Sequence, residues 1–594
     1  MTLTRSLPVL LIAGLSVISA CKKDTDRIAQ PEPVTPDLTV KITSSVAGFV
    51  TDETNEPVPF AEVVAGDKQT RTDEYGYFKI SNVALPKSAG YVKVSAGGSF
   101  DSYKTFVPAE NKEAFVRIKL LAKKEIGVVE ASSGGPVNTT EGATITLPAN
   151  GIVIAGTGVS YTGKVHVNAR WINPAEESSI QSQIPGDNRG TDTEGHLKTL
   201  RSYGAVAVEL TADNGQLLQI AGGKTATLNI PVSASLAAQA PATLNLWSFN
   251  DSTGLWKQEG TATKTGNAYV GTVSHFSFWD GAEGFNMVNV KARITDASAH
   301  PLVNVPVSIT FAGMPQNAGY SKFGYTDADG YVSGAVFANS NLVLDVLTTC
   351  ATSAYSHAFT TAATDIDLGT ITGNLGQNTV TISGTVTNCN NQPVTNGYIQ
   401  TYDHGFYNRI SISNGSFSFT GLACTNTAVS VVAVDNATNQ QNAPQTITLV
   451  PGVNNLGTLS ACGTSTVGVI TYTLDGVTTT LTEPVDTLGA YYITAGPISA
   501  TQVLTLSGNP NQSQQMAFQF DGGADTESAH HVTEVYSVAF PGGRGYWPVP
   551  VVVNITEYGK IGGFIGGNFS SYLLDIANNG VHTFNCTFRV RRNN

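Results

Sequence analysis

The chain has 594 residues, of which only 13% are charged and 60 are glycine, with a formal net charge of -12 and a pI near 5.2. An acidic chain without a basic patch excludes a sequence-independent grip on nucleic acid phosphates or anionic lipid head groups, so no nucleic acid partner is expected. The length excludes a single core, and the wealth of Gly, Ser, Thr, Asn and Val suits strands and turns, so several all-β domains are expected.

The N-terminus reads as an export signal: Arg5 is positive, residues 7–15 are apolar, and Ile18-Ser19-Ala20 lead into Cys21. The apolar stretch is too short for a good membrane span. Its ending resembles the lipobox of bacterial lipoproteins, which implies a signal peptide over 1–20 and a lipidated Cys21 as the mature N-terminus. Acyl chains contribute about 0.8 kcal/mol per buried methylene, so a multiply acylated cysteine holds a chain firmly on a bilayer. Lys22-Lys23-Asp24-Thr25-Asp26 resembles the export tag of Bacteroidota surface lipoproteins, which implies the outer membrane and display at the cell surface. No apolar run of spanning length follows, so the lipid is the expected membrane attachment. Residues 21–40 are polar and hold Pro31, Pro33 and Pro36, the composition of a flexible stalk.

Strand-like alternation begins at residue 41. Gly48, Pro57-Val58, Ala61, Thr72-Asp73, Gly76 and Phe78 punctuate short turn-bounded runs. Over 41–121 these resemble the carboxypeptidase regulatory-like domain, which implies a small transthyretin-like β-sandwich. Residues 125–280 differ. Their markers are Ser202-Tyr-Gly-Ala-Val-Ala-Val-Glu-Leu210 and Val273-Ser-His-Phe-Ser-Phe-Trp-Asp280, which resemble a β-sandwich of cartilage intermediate layer protein and, more distantly, that of netrin receptors and death-domain autoproteases.

The first pattern then recurs, the signature of a module array. Residues 286–372 repeat it with Pro306-Val307 and Thr326-Asp327, and residues 378–462 repeat it with Pro393-Val394 and the hairpin signal Asn414-Gly415. Residues 463–594 end in two glycine-rich runs that read as a hairpin or meander closing a final sandwich. The expectation is a tandem array of small Ig-like or transthyretin-like β-sandwich domains, strung as a modular rod behind a lipoprotein signal peptide.

With Cys21 assigned to lipid, Cys350, Cys389, Cys424, Cys462 and Cys586 remain, an odd number that leaves at least one unpaired within the chain. Disulfides are expected among the first four, with connectivity open. No zinc spacing occurs, and no metal or cofactor is expected.

The sharpest chemical motif is His275-Phe276-Ser277. In the autoproteases it resembles, the chain cuts itself there, which implies His275 as base, Ser277 as nucleophile and cleavage after Phe276. The competing expectation is an ordinary last strand, with Phe276 and Phe278 on one face and His275, Ser277 and Trp279 on the other. His531-Val-Thr-Glu534 is rejected as a zinc pair, since His582 is the only third histidine in reach and no helix is expected. Asp327-Ala-Asp329-Gly330 reads as a turn rather than a calcium loop. The acidic stretch 181–198 reads as a solvated loop, and Trp171, Trp247, Trp256, Trp279 and Trp547 as core.

No esterase elbow, Walker loop or metalloprotease motif is present. The expected function is a non-enzymatic structural, adhesive or ligand-presenting lipoprotein, whose partners are the membrane and a protein or glycan ligand. The alternatives are an autoproteolytic surface protein and a glycan-binding or transport-accessory lipoprotein.

Overall fold

The computed structural model describes residues 29–593 apart from 176–182, 315–320, 373–377, 404, 425, 496–497, 506–515, 522–529, 538–545, 549–550 and 576–579. Every named element is a β-strand. The fold is all-β and tandem: among the described residues, eight sheets build five units in chain order.

The first unit is a sandwich of β1 (Lys41–Thr51), β2 (Glu62–Ala65), β3 (Lys68–Arg71), β4 (Tyr77–Pro86), β5 (Gly90–Ser95), β6 (Ser102–Phe106) and β7 (Glu113–Lys119). One sheet runs β4-β1-β7, with β1 and β7 parallel; the other runs β3-β2-β5-β6. Alternate residues of β1 point inward, and Val46 and Val50 join Val63, Phe78 and Val92 in the core. A fully buried valine contributes about 1.5–3 kcal/mol relative to an exposed one. Ala47 and Phe49, on the opposite face, are buried too, because another unit covers them.

The third and fourth units repeat this topology. Met287–Thr295 lies between Tyr331–Phe337 and a parallel Ile366–Thr372; Thr379–Thr387 lies between Ser416–Leu422 and a parallel Gly452–Ser460. The repetition reaches single atoms. Asp52 Oδ1 accepts the N–H groups of Thr54 and Glu56, Asp296 those of Ser298 and His300, and Asn388 those of Asn390 and Gln392. Each turn leads into the same bridge to proline: Thr51 with Pro57, Thr295 with Pro301, Thr387 with Pro393. Gly76, Gly330 and Gly415 end equivalent hairpins at φ of 71°, 81° and 75°, a region that a Cβ disfavours.

The second unit is a thirteen-stranded sheet folded on itself around Leu197–Thr211, and Trp247, Trp256 and Trp279 are fully buried in it. The fifth is a ten-stranded sheet. Phe564–Asp575 and Val581–Arg591 form the hairpin expected near the C-terminus. The bridge from Ala490 to Arg592 rolls the sheet so that one continuous layer encloses the core.

Two disulfides form among the described residues. Cys389–Cys462 closes the fourth unit with Cα atoms 5.0 Å apart, and Cys350–Cys424 ties the third unit to the fourth at 5.9 Å. Cys586 is free and buried.

The units do not string out as a rod. The other four pack around the first sandwich: Glu53 pairs with Arg170 of the second unit at 2.6 Å, Lys112 with Asp329 of the third at 2.5 Å, Asp73 with Arg409 of the fourth at 2.5 Å, and Asp52 with Lys560 of the fifth at 2.7 Å. Arg117 projects from β7 among the rings of Phe49, Phe115, Tyr325 and Phe406, where burial pushes it down to about 10. The described end of the stalk is docked as well, since Val34 O accepts the Leu197 N–H and Ala29 O accepts from the Asn339 amide. Matched charges and covered apolar faces, not linker composition, decide the arrangement.

Candidate functional site

His275, Phe276 and Ser277 lie on the wall of a cleft of about 460 Å³ between the first two units, shared with Tyr103, Phe249 and Glu259. The expected last strand is interrupted here. Ala268–Val273 ends before the motif and Phe278–Phe285 starts after it, so the tripeptide sits on a bend. The reason is a side chain standing in for a neighbouring strand. Gln219 Oε1 accepts the Phe276 N–H at 2.7 Å, and Gln219 Nε2 donates to the Phe276 carbonyl at 3.1 Å. Alternation fails with it: Phe276 and Trp279, assigned to opposite faces, share one core.

The flanking carbonyls are tied down in the same way. Trp279 Nε1 donates to His275 O at 3.0 Å, and the Val208 N–H donates to Ser277 O at 3.2 Å. His275 Nε2 lies 2.8 Å from Glu259 Oε2, and its ring packs 5.1 Å from that of Trp279. The Ser277 hydroxyl donates to Phe278 O at 3.1 Å. Burial by itself raises the Glu259 carboxyl, but hydrogen bonds from Lys257, His275 and Ser248 bring it down to about 2. Glu259 is therefore a carboxylate at neutral pH and an acceptor only, so the His275 nitrogen that faces it, Nε2, is the one that donates, and Nδ1 is the nitrogen turned away from it.

The other sequence candidates separate. Cys21 lies outside the described residues. Asp327 Oδ1 is taken by the N–H groups of Asp329 and Tyr331, and Asp329 by Lys112, so that hairpin is a turn and a contact between units. His531 faces Asp521 at 3.7 Å and His582 faces Asp475 at 2.5 Å, while the Glu534 side chain lies outside the described residues. Among the described residues, no group of three or more His, Cys, Asp or Glu is placed to hold a metal ion. No described helix is long and apolar enough to cross a membrane.

The acidic stretch 181–198 is not a solvated loop where it is described. Trp256 Nε1 donates to Pro185 O at 3.0 Å, the Gly186 N–H to Tyr103 O at 3.0 Å, and Arg189 to Ser88 O at 2.8 Å. It brackets the first two units together. Trp171 is half-buried, and the Trp547 side chain lies outside the described residues. Gln219 and Glu259 carry no motif; their strands read as ordinary alternation, and only the fold brings them to the bend.

No family model matches the chain. It is similar to cartilage intermediate layer protein 2 of Homo sapiens, 27% identical over 228 residues, and of Mus musculus, 29% identical over 232 residues. The matched stretches cover 37% and 36% of this chain and 19% of each relative's length. Among solved structures, the minor pilin of Streptococcus agalactiae is 8% identical, with 30% of this chain and 97% of that one covered at a TM-score of 0.16. A DUF3823 family protein of Bacteroides ovatus is 9% identical, with 36% and 98% covered at a TM-score of 0.11. At such scores the likeness carries no functional weight.

Proposed function

We propose that the protein is a lipid-anchored, surface-exposed lipoprotein of structural, adhesive or ligand-presenting role, without activity toward other molecules. Palmitate and related acyl chains on Cys21 hold it in the outer membrane, and the β-units form a single head facing outward. The observation that supports one head is the turn Asp73-Glu74-Tyr75, which engages Arg409, Arg589 and Gln441 of two other units at 2.5, 3.0 and 2.9 Å. A chain so cross-braced presents a fixed combination of surfaces to a protein or glycan. Metabolic labelling with palmitate tests the anchor: label on the wild type and none on Cys21→Ser is expected, and label retained by Cys21→Ser overturns it.

A second reading is favoured by the bend at 274–277: the head cuts itself between Phe276 and Ser277, and the halves stay associated. The bend takes the Phe276–Ser277 peptide out of the strand ladder and leaves its carbonyl held by a side chain, an exposure to attack that an ordinary paired strand does not supply. Intact mass of the purified chain tests it. Fragments parting at 276/277 support the reading, and an uncut chain after prolonged incubation removes it.

A further inference from the structure

We infer that Gln219 is the oxyanion donor of this self-cleavage and Glu259 the residue that positions its base, an assignment that rests on the second reading above. The geometry is specific to the reacting groups. The carbonyl that Ser277 would attack is that of Phe276, and its oxygen is the atom that Gln219 Nε2 already contacts at 3.1 Å. The same amide accepts the Phe276 N–H at 2.7 Å, so it cannot swing away without breaking both bonds. Gln219 belongs to Leu217–Ile220, a strand paired to Ile152–Ile154 and Leu197–Thr211, so the donor stands on a rigid element.

The reaction balances with water as the only co-reactant. Ser277 leaves the Phe278 carbonyl by rotation about χ1, and its Oγ attacks the Phe276 carbonyl carbon while His275 Nδ1 takes the hydroxyl proton. Charge builds on the Phe276 oxygen, facing the Gln219 N–H, and on the imidazolium, facing Glu259. The C–N bond breaks, the proton passes from His275 to the Ser277 nitrogen, and an ester joins Phe276 to Ser277 Oγ. Water from the cleft adds to the ester carbonyl and the C–O bond breaks. Phe276 is left as a carboxylate, and Ser277 with its hydroxyl and a free α-amine.

Glu259 acts through His275 and is a positioning residue. Other charges face the same cleft: Lys257, which shares Glu259, and Asp101, Glu209 and Asp251. Of these carboxylates, Glu209 is paired with Lys123 and Asp101 with Lys93, so they are neutralised by partners of their own.

The test follows cleavage of freshly synthesised full-length chain by gel and intact mass, with thermal melting of each variant. Ser277→Ala is uncut and serves as the folded reference. Gln219→Glu keeps an acceptor for the Phe276 N–H but loses the donor, and slows cleavage about 100-fold, the usual effect of deleting one oxyanion donor, while melting like Ser277→Ala. Gln219→Leu, which loses the acceptor for the Phe276 N–H as well as the donor, slows cleavage at least as much and melts lower, and Glu259→Gln slows cleavage and moves the acidic limb of its pH–rate profile to lower pH. Wild-type chain that never cuts overturns the self-cleavage reading and the inference with it. Wild-type chain that cuts, with Gln219→Glu cutting at the same rate, overturns the inference alone; an unmoved pH profile in Glu259→Gln overturns the role of Glu259.

Discussion

Glu74 and Arg589 lie 515 positions apart and meet at 3.0 Å, closing the first unit onto the last. Glu74 stands at the tip of the turn between β3 and β4, where burial pushes its carboxyl up to about 7 against the pull of Arg589. Arg589 lies over the Phe564 ring at 3.6 Å and also pairs with Glu557 at 2.8 Å. Arg589→Ala strands Glu74 in a buried site and is expected to weaken the docking of the fifth unit by about 3–5 kcal/mol. Glu74→Gln, which removes only a charge that burial already opposes, is expected to cost far less. Urea titration with protease susceptibility of the fifth unit measures both, and equal effects would contradict this account.

Arg409 is the matching clamp to the fourth unit. Its guanidinium lies 3.8 Å from the Tyr77 ring and 3.6 Å from the Tyr398 ring while bonding Asp73. Stacking between two rings needs a planar cation, so Arg409→Lys is expected to restore less than half of the roughly 3 kcal/mol lost in Arg409→Ala. Full recovery with lysine would show that charge alone suffices.

Thiol counting checks the cysteine assignment. In Cys21→Ser protein, the native chain is expected to show no reactive thiol, and the chain unfolded without reductant to show one, Cys586, whose thiol burial pushes up. Two or more thiols after unfolding would refute the two disulfides. Cys389→Ala with Cys462→Ala is expected to cost about 4 kcal/mol, because the bridge closes a long loop.

Glu259 sets an acid limit. Its carboxyl titrates near 4.5 when unconstrained and near 2 when folded, against the opposing effect of burial. A depressed carboxyl stabilises above its unfolded value and loses that contribution as pH falls from 4.5 toward 2. Melting temperature against pH is expected to fall through that window in wild type and less steeply in Glu259→Gln. Parallel curves would contradict it.

What could be read from the chain was local. The hairpins that begin at Thr72-Asp73 and Thr326-Asp327 announce themselves because Asp73 and Asp327 accept N–H groups two and four residues on. Glu74, Arg409 and Arg589 gave no sign, since a pair separated by hundreds of residues leaves no periodic trace. The rod expectation failed at these positions. At the candidate site, His275, Phe276 and Ser277 stood out as a contiguous motif, but Gln219 sits 57 positions from Phe276 in a strand whose alternation suggested nothing beyond packing.

Protease shaving of intact cells tests the central claim most directly. A lipid-anchored head displayed outward predicts that external protease removes the β-units from whole cells while periplasmic proteins stay intact. Units protected until the outer membrane is broken would contradict it.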